Sequence, residues 1–345
     1  MFSAMRVLAG DIGGTKTSVA LVDIGPHRVA LKKHARYASA GYASLEDILG
    51  DFLAGERRLP EAAAFGVAGP VRGGEARVTK LPWVISQRRL ARRVGIPRVL
   101  LVNDFLAAAL GLSYVAPRRL AVLLRGEPEP GGPIALIGAG TGLGQAVLLS
   151  IDGRYEPFAS EGGHADFGPR NAREDRLARF VRKRHGRVSR DRLLSGEGLR
   201  LIYDFLTRDG GVRQSPAVAR AFASEDRSEV ISRFGLQGRD RLCAEALGLF
   251  VSIYGSEAGN LALQYRATGG VYLAGGIAPK ILPALRRESF RASFRDKPPL
   301  AAMLSTIPVR VVLEPELGLF GAAAAAYRMA MVIDVTRPPS KIRIR

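Results

Sequence analysis

An α/β protein made of two similar halves is what this sequence predicts, and three observations carry the prediction. Two short stretches look like copies of each other: Leu8-Ala-Gly-Asp-Ile-Gly-Gly-Thr-Lys-Thr-Ser-Val-Ala-Leu-Val22 and Ala135-Leu-Ile-Gly-Ala-Gly-Thr-Gly-Leu-Gly-Gln-Ala-Val-Leu-Leu149. Each reads as an apolar strand, a turn of small residues and a second apolar strand. In both halves strands come first and helices follow, the order of a mixed sheet with crossover helices. The length of 345 residues, with 47% hydrophobic and 24% charged residues, suits two domains and a substantial core.

Taken in order, residues 6–37 read as three strands and Ser44–Leu53 as a helix. Ala62–Ala68 and Glu75–Thr79 are strand-like, and Ser86 is placed to cap a helix over Gln87–Val94. Arg98–Val102 is a short strand rich in Val and Leu, and a helix follows from Asp104 to about Leu112. The second half repeats the plan, with strands at Leu120–Leu124, Ile134–Ile137 and Gly144–Ile151 before a helical region from Ala172 to Arg266. Gly270–Ala274 is a buried strand ending in Gly275-Gly276, Val309–Leu313 is the last strand, and Gly318–Met331 is an Ala-rich helix. The Pro-rich end from Arg337 reads as a tail. The domains expected are 1–113, with the helix at 318–331 packing back on it, and 114–317, followed by a basic tail at 332–345.

Composition excludes several classes. No apolar run approaches the ~18 residues of a membrane span, and Met1–Arg6 enters a strand without a signal-like segment. Cys243 is the single cysteine, so neither an internal disulfide nor a cysteine metal cluster is expected, and the cytoplasm is the compartment inferred. The net charge of +19 is the unusual feature. A basic run from Arg173 to Arg192 includes Arg176, Arg179, Arg182, Lys183, Arg184, Arg187 and Arg190; Arg286, Arg287, Arg291 and Arg295 form another cluster. A field of that sign attracts nucleic acid or anionic membranes. Without aromatic interleaving or a nucleic-acid motif, most of these residues read as solvated helix faces, and nucleic acid is not the expected partner.

The chemistry lies in a few motifs. Gly-rich turns let several backbone N–H groups converge on one anion, because no Cβ obstructs the approach. Two such turns, one with Asp11 and Thr15 and one with Thr141, suggest two halves gripping a polyphosphate; taken singly, each is also compatible with an ordinary hairpin. There is no Gly-Lys dipeptide for a P-loop, and Gly138, Gly140, Gly142 and Gly144 alternate into a strand rather than opening a dinucleotide-binding helix. Asn103 and Asp104 stand where a strand ends and a helix begins, a ligand-binding location in α/β sheets, although Asp104 there could also simply cap the helix. Ser160-Glu-Gly-Gly-His-Ala-Asp-Phe-Gly-Pro-Arg170 groups Glu161, His164 and Asp166 around two glycines, a set suited to the hydroxyls of a polyol. As metal ligands they are a weak set, lacking a second His or Cys. Arg192–Leu199 and Leu273–Lys280 complete the list, the latter a strand end suited to an adenine or ribose.

The plan resembles the duplicated ribonuclease H-like fold shared by actin, Hsp70 chaperones and sugar kinases, with a cleft between the domains. The motifs resemble more closely the bacterial glucokinases that lack the zinc-binding cysteines of the repressor/kinase (ROK) family. The pieces are Gly10–Thr15, Val102–Phe105, Gly138–Gly144, Glu161–Arg170 and Leu273–Ile277, within a match running from Val7 to Tyr327. The resemblance implies ATP-dependent phosphorylation of glucose at its 6-hydroxyl, with Mg²⁺ on the nucleotide. It implies Asp104 as catalytic base, and Asn103, Asp104, Glu161, His164 and Asp191 as sugar ligands. Gly10, Asp11, Ile12, Gly13, Gly14 and Thr15 would form the first phosphate segment, and Gly140, Thr141 and Gly142 the second. Gly275 and Gly276 would face the adenosine. No direct metal ligand is expected, Asp11 meeting Mg²⁺ through water, and a homodimer is implied.

Two departures from the family pattern concern the sugar. Asp191 stands where Glu is usual, one methylene shorter, and Lys80 follows Thr79 where Asn is usual. Another hexose or hexosamine kinase of the same fold is therefore an alternative, as is, in a different class, a sugar-sensing regulator without catalysis. ADP or polyphosphate would use similar loops as donor.

Overall fold

The computed structural model describes residues 4–78, 81–209 and 214–331. Lys80, Thr79 and the expected tail at 332–345 lie outside the described residues. The chain divides into two units: residues 1–117, 151–159 and 314–345 form the first, and residues 118–150 and 160–313 form the second.

In the first unit, β1 (Met5–Ile12), β2 (Lys16–Gly25) and β3 (Arg28–Ala38) form the expected meander. α1 (Leu45–Leu53) begins where the Ser44 hydroxyl accepts the Asp47 N–H. β4 (Ala62–Val67) is buried at every position, which is why it reads as an unbroken apolar run. Three short strands, β5 (Val71–Arg72), β6 (Glu75–Arg77) and β7 (Val84–Ser86), make a small separate sheet. α2 (Gln87–Val94) starts after Ser86 as expected, but the Ser86 side chain makes no capping bond. β8 (Val99–Asn103) then feeds α3 (Asp104–Gly111). The main sheet runs β3-β2-β1-β4-β8, with β1, β4 and β8 parallel.

The second unit holds β9 (Leu120–Leu124), β10 (Ile134–Ala139) and β11 (Leu143–Ile151). β12 (Arg154–Ser160), which the sequence did not signal, follows, most of it grouped with the first unit. Among the described residues six helices occupy the long helical region: α4 (Ala172–His185), α5 (Arg190–Leu193), α6 (Gly196–Asp209), α7 (Pro216–Phe222), α8 (Arg227–Leu236) and α9 (Arg241–Tyr265). After β13 (Gly270–Ala274) come four short helices: α10 (Ile277–Lys280), α11 (Leu282–Leu285), α12 (Glu288–Arg295) and α13 (Ala301–Thr306). β14 (Val309–Val312) closes the unit. Its strands run β11-β10-β13-β14-β9. The antiparallel pair β10–β11 followed by parallel β13 and β14 repeats the arrangement of β1–β2, β4 and β8.

The final helix, α14 (Leu317–Ala330), belongs to the first unit and packs its alanines against Val7, Ala9, Ala20, Ala64, Val102 and Ala107. It approaches α3 so closely that a Cβ on Gly321 would lie 1.5 Å from the Ala107 carbonyl oxygen. A Cβ on Gly111 of α3 would in turn lie 2.2 Å from the Leu317 carbonyl oxygen. The two glycines therefore allow backbone-to-backbone contact. Among the described residues no helix is long and apolar enough to cross a membrane.

Of the basic run, Arg173, Arg176, Arg187 and Arg192 pair with Glu245, Asp209, Asp166 and Glu197 at half-exposed or exposed positions, where each pair contributes little. Arg190 is an exception to the reading of most of these residues as solvated helix faces. Its side chain is 16% exposed and bonds the buried Glu257 at 2.8 Å.

Candidate active site

In the first unit the site residues collect at the C-terminal edge of the parallel strands. β1 ends at Ile12 and β8 at Asn103, so Asp11 and Asp104 stand on the same edge. Gly10 is buried within β1, where a Cβ would come 2.4 Å from Phe65, and the Ile12 side chain is fully buried in the core. Packing explains those two residue types, and the open part of the segment is Gly13–Thr15. That turn is closed by the Gly13 N–H on the Lys16 carbonyl at 3.0 Å. Ser39 braces it: its N–H reaches the Thr15 carbonyl at 3.1 Å and its hydroxyl donates to the Gly13 carbonyl at 2.8 Å. Nothing in the sequence around Ser39 signals this role, because one Ser in a loop has no pattern.

The cap at α3 falls to Asn103 rather than Asp104. Asn103 Oδ1 accepts from the Phe105 and Leu106 N–H groups at 3.0 and 3.1 Å. This corrects the sequence reading of Asp104 as the possible cap. With that oxygen committed, Asn103 can meet a ligand through its amide donors. Asp104 is the first helical residue, half-buried, with Oδ1 accepting from the Phe105 N–H at 2.8 Å.

Asp11 is the electrostatically unusual group. Burial pushes its pKa up to about 6, helped by the nearby Asp104 and Glu316 carboxylates and opposed by Lys16. Its carboxylate lies against the first turn of α14, where a Cβ on Gly318 would come 2.8 Å from Oδ2. The unpaired N–H groups of that turn favour a negative charge. Glu316, just before the turn, is held by Arg36 and lies 3.5 Å from His34.

A stability prediction follows from this acid. Folding raises its pKa, so between about pH 4 and 6 the folded chain binds more protons than the unfolded one, and stability falls as pH rises through that window. Asp11→Asn is expected to raise the melting temperature of the nucleotide-free protein by about 2–5 °C above pH 7, with the difference vanishing below pH 4. Thermal melts across pH 4–8 measure it, and an unchanged or lowered Tm above pH 7 would contradict the origin given for the shift.

In the second unit three segments converge on Leu143, the first residue of β11. The Gly140–Gly142 turn precedes it, closed by the Gly140 N–H on the Gly142 carbonyl at 2.8 Å. Asp191 Oδ1 accepts the Leu143 N–H at 2.6 Å and lies so close to Gly142 that a Cβ there would approach it to 2.6 Å. The Gly196 N–H holds the Gly140 carbonyl at 3.0 Å, so the segment around α5 clamps the turn at two points. From the other side the single turn Gly162–His164 rests on the same residue, since a Cβ on Gly163 would sit 2.1 Å from the Leu143 carbonyl oxygen.

Glu161 and His164 are exposed at the ends of that turn, while Thr141 is exposed in the glycine turn. Asp166 is not gathered with them: it is 77% exposed at the side chain and pairs with Arg187 at 2.7 Å. Gly275 needs both its positive φ of 79° and its missing side chain, because a Cβ would meet the Ala139 carbonyl at 2.5 Å. The Gly275-Gly276 turn is thereby set beside the end of β10, next to Gly140, at the C-terminal edge of parallel strands. Gly196 lies in the Arg192–Leu199 stretch that the sequence singles out, but its role there has no side-chain signal because it acts through a backbone N–H.

A family model described as Glucokinase matches residues 8–329. A glucokinase of Nostoc punctiforme is 41% identical over 341 residues, covering 94% of this chain and 99% of that protein. A glucokinase of Synechocystis sp. is 40% identical over 347 residues, covering 93% of this chain and 98% of that protein. Among solved structures, a glucokinase from an Antarctic psychrotroph is similar with a TM-score of 0.82 at 28% identity, covering 95% of this chain and 100% of that one.

Proposed function

The chain belongs to the glucokinase family and is a sugar kinase; from that premise we propose that it transfers the γ-phosphoryl group of ATP to the 6-hydroxyl of D-glucose. The observation that carries the reading is the acidic pair of the first unit. Asp104 opens α3 at a strand end, with Asn103 as the capping residue and Asp104 Oδ1 on the Phe105 N–H, on the sheet edge that also presents Asp11 and the Gly13–Thr15 turn.

An alcohol has too high a pKa to be ionised before it reacts. Asp104 therefore accepts its proton as the oxygen attacks phosphorus, and positioning supplies much of the rate. The Gly13 and Gly140 N–H groups close their turns, so the remaining backbone N–H groups of Gly14, Thr15, Thr141 and Gly142 hold the phosphates, and Gly275 and Gly276 bound the adenosine. The sugar hydroxyls meet the amide donors of Asn103, the carboxylate of Glu161, His164 and the second oxygen of Asp191. Oδ1 of Asp191 is committed to Leu143, so the shorter residue reaches the sugar with one oxygen.

Among the described residues no group of three or more His, Cys, Asp or Glu side chains is disposed to cage a metal. The surroundings of Asp11 nevertheless favour a positive charge, since Asp104 and Glu316 both raise its pKa. This fits a Mg²⁺ carried on the nucleotide and held by Asp11 through water, where it would offset phosphate charge.

The test is a coupled assay for glucose 6-phosphate with Mg-ATP, run beside mannose, fructose and N-acetylglucosamine. Glucose is expected to give a kcat/KM at least about tenfold above the others. Turnover of another hexose with none of glucose would make the protein a different hexose kinase of this fold.

A further inference from the structure

Glu257 is a buried acid that the proposed chemistry does not use. It lies on α9 with 4% exposure, on a helix that runs through the apolar core of the second unit. A carboxylate taken out of water is costly, and an apolar residue of similar volume commonly serves stability as well or better. Its partners show where it is directed. Glu257 Oε1 accepts from Gln145 Nε2 and from an Arg190 guanidinium nitrogen, both at 2.8 Å. Oε2 accepts from Asn260 Nδ2 at 3.0 Å. Burial raises the pKa of this acid, while Arg190, Asn260, Gln145 and the more distant Lys297 oppose the rise.

Both Oε1 donors lead to ligand-binding segments. Gln145 is 1% exposed, and an acceptor on its Nε2 side turns its carbonyl the other way. That oxygen lies under the turn carrying Glu161 and His164, where a Cβ on Gly162 would come 2.2 Å from Gln145 Oε1. Arg190 adjoins Asp191, and its own N–H bonds the Ala165 carbonyl at 3.0 Å, just past the same turn. The Phe167 N–H on the Val188 carbonyl at 2.9 Å continues this pairing. One carboxylate oxygen thus ties the floor of the Glu161–His164 turn to the segment that carries Asp191.

We propose that Glu257 is a positioning residue for the sugar side of the site, setting the spacing of Glu161, His164 and Asp191 through Gln145 and Arg190. The inference rests on the sugar-kinase reading and names a residue that touches neither substrate.

The test uses Glu257→Gln and, independently, Gln145→Met, with steady-state kinetics in both substrates, glucose titration and thermal melts. Gln145→Met removes the link to Gly162 yet leaves the Glu257–Arg190 pair in place, so it decides the matter if Glu257→Gln fails to fold. The expected result is a glucose KM raised about tenfold or more, with the KM for ATP within about twofold. The glucose dissociation constant should rise in parallel, and Glu257→Asp should recover part of the loss. An unchanged glucose KM, or equal rises in both KM values following a fall in Tm, would overturn the proposal and leave Glu257 a structural residue. Wild-type protein is the control for the underlying reading. If it neither binds nor phosphorylates glucose, that reading falls and this proposal with it, whereas an active wild type beside an unaltered variant removes Glu257 alone.

Discussion

Replacing Asp104 with Asn is expected to lower kcat by about 10²–10⁴ while leaving the glucose dissociation constant within about threefold. The substitution keeps side-chain size, and the cap of α3 is untouched because Asn103 supplies it. What changes is the capacity to take the proton of the attacking hydroxyl. A loss of that size corresponds to about 3–5 kcal/mol of activation barrier. The competing effect is the loss of one negative charge in the first turn of α3, worth about 0.3–1 kcal/mol of stability. Because the barrier effect exceeds the helix effect several-fold, a folding defect cannot imitate it. A coupled assay gives kcat, and equilibrium titration gives the affinity. Turnover at the wild-type rate would remove Asp104 from the role of base, and loss of binding with little change in kcat would make it a sugar ligand alone.

Gly321→Ala is expected to destabilise the first unit by about 2–4 kcal/mol and lower its melting temperature by roughly 5–15 °C. The added Cβ would stand 1.5 Å from the Ala107 carbonyl oxygen and 2.3 Å from its carbonyl carbon. Backbone atoms cannot rotate aside as a flexible side chain does, so α14 and α3 must separate along their contact. An alanine in mid-helix is normally worth up to about 1 kcal/mol over glycine, and that gain is outweighed here. Separation also loosens the alanine face of α14 on the sheet and disturbs Asp104 at the start of α3 and Gly318 beside Asp11. Chemical denaturation monitored by circular dichroism checks the value. A cost under about 0.5 kcal/mol would mean that the two helices part without resistance.

The elements legible in the sequence were those with a strong local signal. The two glycine hairpins, the all-buried β4 and the helix after Asn103 all lie where the residue pattern places them. β12 gave no sign because Arg154–Ser160 mixes charged and aromatic residues without clean alternation. The four helices between β13 and β14 are short enough that no period could form. Residues of the candidate site were visible where side chains or glycines cluster in one stretch, as at Glu161–His164. Ser39 and Glu257 were hidden because they act on the site from elsewhere in the chain; Gly196 and Gln145 lie within named motifs, but a backbone N–H and a buried amide carry no pattern that shows their role. Arg190 could not be singled out from its basic run for the same reason: the acid that meets it lies 67 residues later.

The first unit is written in the chain as two distant pieces, residues 1–117 and 314–345, with residues 151–159 added between. During synthesis the ribosome releases the opening piece long before α14 exists. At about 5–20 residues per second, the intervening stretch of roughly 200 residues takes about 10–40 s to make. Through that interval the face formed by Val7, Ala9, Ala20, Ala64, Val102 and Ala107 has no helix to cover it. The nascent chain therefore carries an adhesive surface for most of its translation. The second unit, whose residues 118–150 and 160–313 are all made before α14, is the part able to fold first.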